Sequence, residues 1–158
     1  MKPSLRIFLS TILIFICFSA VYPCSCIDTL TSKQAVKNSK WVLKGKVVSK
    51  SVLSLDTIFE GLIFYQSAYS IEVLSTFKGR CVKDTITIIT GMGDGDCGYP
   101  FVIGREYIIY AIRAKRHYAT GRKVKPFITT NICDRTTDKC LDEKKEIAKN
   151  LNRRWRKV

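Results

Sequence analysis

The residues with the most chemical potential are cysteines: Cys24 and Cys26 flank Ser25 near the start, and Cys81, Cys97, Cys133 and Cys140 follow at wide intervals. A Cys-x-Cys pair can hold a soft metal or cycle between thiol and disulfide. Two cysteines one residue apart lie on the same side of an extended chain, and a bond between them is strained, so each is expected to find a distant partner. Structural disulfides are therefore the expectation, each contributing about 2 to 4 kcal/mol by closing a long loop. Six cysteines allow fifteen pairings, and spacing leaves the connectivity open.

Other chemistry has little to stand on. Gly93-Asp94-Gly95-Asp96-Cys97-Gly98 has the glycine spacing of a dinucleotide fingerprint. Tyr99-Pro100 follows where that motif needs a helix start, and two carboxylates would repel a pyrophosphate. Asp94 and Asp96 lack the further oxygen ligands of a calcium loop, so the segment reads as a polar loop that sets Cys97 for pairing. His117 is the single histidine, stands in a basic loop, and has no Ser or Cys nucleophile of recognised motif to serve. The chain is thus expected to be a binding protein and not an enzyme, with no cofactor and no metal of its own.

Charge points to the kind of partner. The 158 residues carry 27 Lys and Arg against 13 Asp and Glu, a formal charge of +14. The densest cluster is Arg113, Lys115, Arg116, Arg122, Lys123 and Lys125, and a second lies at Arg153 to Lys157. Such a surface suits an acidic polysaccharide or a membrane surface. Nucleic acid is set aside because the N-terminus reads as an export signal. Lys2 and Arg6 precede the apolar run Ile7 to Phe18, which ends in small residues and is too short for a comfortable span. Residues 1–20 are accordingly assigned to a signal peptide and 21–158 to one domain, placed in a secreted, extracellular or periplasmic setting. Loss of Cys17 with the signal leaves an even six cysteines in an oxidising compartment.

The elements that must position these residues are mostly strands. Thr31-Ser32-Lys33-Gln34 has the form of a capping box and predicts a short helix to about Asn38. Strands are predicted at Trp41 to Val48, with Gly45 a bulge or bend, at Phe64 to Phe77, Asp84 to Thr90, Glu106 to Ile112 and Pro126 to Ile132. Leu141 to Trp155 places Ile147, Leu151 and Trp155 on one face of a closing helix, acidic at its start and basic at its end. Five strands between a short and a longer helix are compatible with a β-rich Greek-key OB-fold barrel.

Taken in order, these residues resemble the netrin-like domain of the tissue inhibitor of metalloproteinases family. The likeness lies in Cys24-Ser25-Cys26 after a signal, Gln34-Ala35 before Trp41-Val42-Leu43-Lys44-Gly45-Lys46-Val47, and Phe77-Lys78-Gly79 at a strand end. It continues in Cys97-Gly98-Tyr99 after a Gly-rich loop, the strand containing Tyr107, and Phe127-Ile128-Thr129-Thr130 before Cys133. The resemblance implies a five-stranded barrel with disulfides Cys24–Cys97 and Cys26–Cys133. It leaves Cys81 and Cys140 as a third pair by elimination. It also implies a zinc metalloproteinase as partner. Cys24 would chelate the protease zinc through its amino group and carbonyl, Ser25 would enter the specificity pocket, and Cys26 and Ile27 would continue the wedge.

Overall fold

The computed structural model describes residues 26, 29–59, 62–80, 84–93, 95–116 and 121–155. Helix α1 (Ser32–Asn38) is followed by strands β1 (Trp41–Phe59), β2 (Leu62–Lys78), β3 (Thr85–Thr90), β4 (Glu106–Arg116) and β5 (Lys123–Thr129), and then by helix α2 (Cys140–Trp155). The strands close into a barrel in the order β1-β2-β3-β5-β4, with β3 and β5 parallel and the other neighbours antiparallel. This is the Greek-key barrel of the OB type that the sequence pattern suggested. Among the described residues no helix is long and apolar enough to cross a membrane.

The start of α1 is set locally. The Thr31 hydroxyl accepts from the Gln34 backbone N–H while the Gln34 side chain accepts from the Thr31 N–H, a complete capping box. Its far end is held by tertiary contact: the Lys78 ammonium, from the end of β2, donates to the carbonyls of Val36, Lys37 and Ser39. Those are carbonyls that a helix leaves without intrahelical partners, and a cation there also suits the helix dipole.

Strand β4 explains where the core sits. Tyr107, Ile109 and Ala111 face the barrel interior with Leu43, Val47, Tyr69, Ile71, Ile86, Ile88 and Phe101. The alternate residues Ile108 and Tyr110 face outward and are covered, with Val42, by Ala35 of α1 and Ile147 of α2. A strand buried on both faces reads as a continuous apolar run, which is why Tyr107 to Ala111 lacks alternation.

Three strands differ from expectation in extent, the fourth running four residues past Ile112 to Arg116. The first continues to Phe59 and pairs with β2 as a long ribbon as far as the pair Phe59 and Leu62, well beyond its pairing with β4, which ends at Lys46. Beyond Val47 the sequence Val48-Ser49-Lys50-Ser51-Val52 is exposed on both faces, so no burial pattern marks it as strand. The fifth begins at Lys123, ahead of Pro126, and ends at Thr129. Gly45 stands at a register shift in the β1–β2 pairing, and a Cβ there would collide with the Ile71 side chain.

Candidate functional site

The loop after β3 and the segment after β5 lie side by side at one end of the barrel, and the N-terminal part of the chain is fastened to them. Cys26 is joined to Cys133 by a disulfide, the pair named above on resemblance, and Cys97 is disulfide-bonded as well. Gly98 pairs with Asn131 as an antiparallel bridge, and the Ile132 N–H donates to the Cys97 carbonyl. Cys97 and Cys133 are therefore carried on adjoining backbones. Cys24, Ser25, Ile27 and Cys81 lie outside the described residues, as does His117.

The Cys97 loop is organised by Asp96. Its carboxylate accepts backbone N–H groups from Met92, at 2.6 Å, Gly93, at 2.8 Å, and Gly98, at 3.1 Å. Three converging amides satisfy a carboxylate well, since bonds to a charged acceptor are about twice as strong as neutral ones. The closure brings Gly91 and Gly98 so near that a Cβ on Gly98 would meet the Gly91 backbone. It also holds Cys97 at φ 59°, in the left-handed region where a side chain is disfavoured. Asp96 is thus occupied with the loop itself, and among the described residues no cluster of His, Cys, Asp and Glu could hold a metal ion.

The neighbouring turn is closed in the same manner. Asn131 N–H donates to Asp134 Oδ2 and Cys133 N–H donates to Asn131 Oδ1. Burial raises the Asp134 carboxyl above its ordinary range, and the bond from Asn131 offsets part of that rise. Beneath the two loops, the Thr90 hydroxyl donates to the Thr130 carbonyl and accepts from the Tyr99 N–H, tying β3 to both. The phenol of Tyr99 is pushed well above its usual range, chiefly by burial against Phe101 and Tyr107.

The third disulfide reached by elimination, Cys81–Cys140, is not formed: Cys140 carries a free thiol. Cys140 begins α2 beside Ile108, Lys44 and Glu106, while its proposed partner Cys81 is outside the described residues.

The six basic residues of the predicted polyanion site all fall in one hairpin. Arg113, Lys115 and Arg116 are on β4, Arg122 precedes β5, and Lys123 and Lys125 are on β5, all six of them exposed. They stand apart from the cysteine-bearing loops, so the chain presents two separate candidate surfaces. Sequence reasoning missed Asp96 and Arg135 as organising residues. An Asp followed by Cys-Gly in a Gly-rich loop was the available signal for the first. For Arg135 there was none.

No protein-family model matches the chain, and no curated protein sequence matches it significantly.

Proposed function

We propose that the chain is a secreted inhibitor of zinc metalloproteinases, of the netrin-like kind, that acts by binding. The segment Cys24 to Ile27 would serve as the wedge, Cys24 supplying its amino group and carbonyl to the protease zinc and Ser25 entering the adjacent pocket. The observation that carries this reading is the Cys26–Cys133 disulfide. It fastens the chain at the point where the wedge would end, beside the rigid Cys97 loop, which would add a second contact. An anchored wedge loses little freedom on docking, which is where binding of an extended segment ordinarily loses affinity. A catalytic zinc keeps an open position that an amine and a carbonyl can fill.

The mechanism sets a condition on processing. Val21-Tyr22-Pro23 precede Cys24, and with them in place its nitrogen is an amide, a poor zinc donor. Inhibition therefore requires Cys24 to be the first residue. The test is N-terminal sequencing and non-reducing intact mass of the exported protein, followed by titration against a panel of zinc endopeptidases. A start at Cys24 with one-to-one inhibition, abolished by an added alanine ahead of Cys24, is the expected result. A protein trimmed to Cys24 that inhibits none of the panel would overturn the reading.

A further inference from the structure

Between Glu106 and Asp134 the sequence contains no acidic residue, and the β4–β5 hairpin occupies most of that interval. Its pairing is irregular. Ala114 faces Phe127, yet two residues further along β4, Arg116 faces Lys123, so β5 uses four residues where β4 uses two. Pro126 lies within the excess. With no N–H to give to a ladder, it favours a bulge at such a position. The bulge leaves a depression of about 300 Å³ lined by Lys115, Arg116, Lys123, Val124 and Pro126. Arg116 is fixed at its rim by a bond from Nη1 to the Gly121 carbonyl.

We propose that this depression is a subsite for a sulfated sugar unit of an anionic polysaccharide. Its lining combines three cations with the apolar residues Val124 and Pro126, which would serve as its floor. A pyranose has an apolar face for such a floor and carries sulfates at its edges, where an ammonium acts as a point charge and a guanidinium offers paired donors. A smooth lipid surface would engage the hairpin's protruding cations and leave a concave apolar floor unused. Arg113, two residues before Lys115 on β4 and paired with Ile128, would extend the positive track on which further sulfates would lie. The site is independent of Cys24 and would operate whether or not the chain inhibits a protease.

The experiment is a titration of the disulfide-bonded protein with heparin, N- and O-desulfated heparin, and phosphatidylserine vesicles at physiological salt. It compares the triple variant K115S/R116S/K123S with a control of equal charge change on the helices, K33S/K144S/K145S. The hairpin triple should lose roughly tenfold or more in heparin affinity and the control only a few-fold, since screening at this salt weakens distant charges. Desulfated heparin and vesicles should bind weakly. Equal losses in both triples would reduce the effect to bulk charge and overturn the proposal. Undiminished binding of desulfated heparin, or binding to vesicles in preference to heparin, would also overturn it. Should the triple variant unfold, the single substitutions Lys115→Ser and Lys123→Ser give the same comparison.

Discussion

Arg135 grips Glu143 with two parallel bonds, Nε to Oε1 and Nη2 to Oε2, each 2.8 Å long, while its third nitrogen donates to the Leu30 carbonyl. The Tyr110 hydroxyl donates to the same carboxylate, which is almost entirely buried. One cluster thus joins the N-terminal segment, the turn after β5, the outer face of β4 and helix α2. It also holds Arg135 at φ 66°, a conformation a long side chain does not favour alone.

Removing the cation leaves a carboxylate buried without its partner. Arg135→Ala should lower stability by about 3 kcal/mol, the lower end for a broken buried pair because the guanidinium is 31% exposed. In thermal unfolding that is a fall of about 10 °C for a domain of this size. The double variant R135A/E143L should recover most of the loss, since apolar replacement of a buried pair is close to neutral. A double variant no more stable than the single one would show that the cluster acts through something other than its charges.

The loop that carries Cys97 depends on one carboxylate. Asp96→Ala leaves the amides of Met92, Gly93 and Gly98 without their acceptor and should cost roughly 2 to 4 kcal/mol. Asp96→Asn retains one acceptor oxygen and should fall between. Reductive unfolding monitored by thiol labelling would check the consequence for the site: Cys97 should become reducible at lower reductant concentration in the alanine variant than in the wild type. Unchanged reducibility would mean that the barrel and the segment after β5 hold Cys97 without help from Asp96.

How much of this was legible in the sequence depends on whether the cause is local. The α1 start was, because Thr31 and Gln34 satisfy each other three residues apart. Strand β3 was, because Ile86 and Ile88 alternate with the exposed Thr85 and Thr87. The outer half of β1 was not: Val52 and the serines around it have no buried face, and only pairing with β2 makes them strand. The bulge in β5 was hidden because Pro126 argued for a strand start, not an interior position. At the candidate site the cysteines and basic residues were visible by type. The carboxylate that closes the Cys97 loop and the Arg135 cluster were not, since both depend on segments brought together by the fold.

Asp134 gives a pH dependence with a definite sign. Its folded-state carboxyl titrates above the ordinary value of 3.8, chiefly because burial disfavours the anion. A raised folded value means that the protonated form is favoured by folding, so the contribution to stability is full below the unfolded value and is lost as pH rises through the folded one. At neutral pH Asp134 should therefore weaken the fold. Asp134→Asn, which can still accept from the Asn131 N–H at 2.9 Å, should be more stable than the wild type at pH 7. The difference should shrink as the pH is lowered through the acid range and vanish below the unfolded value. Chemical denaturation of the two proteins between pH 7 and pH 3 measures it, and a gap that widened on acidification would reverse the assignment.

Cys140 offers a direct count of thiols. It is half-buried beside Lys44 and Glu106, and burial raises its thiol above the ordinary value of 9.0, with the nearby Lys44 charge offsetting part of the rise. The thiolate is the reactive species, so alkylation in the native state should be slow at pH 7 and should accelerate only as the pH passes the raised value. The same thiol should react at an ordinary rate once the chain is denatured without reductant. Cys140→Ser should leave the melting temperature within a few degrees of the wild type, because no bond is lost. If peptide mapping of the non-reduced protein instead recovered Cys140 in a disulfide, the start of α2 would have to be drawn away from Ile108, and the variant would lose stability on the scale of a broken cross-link, roughly 2 to 4 kcal/mol.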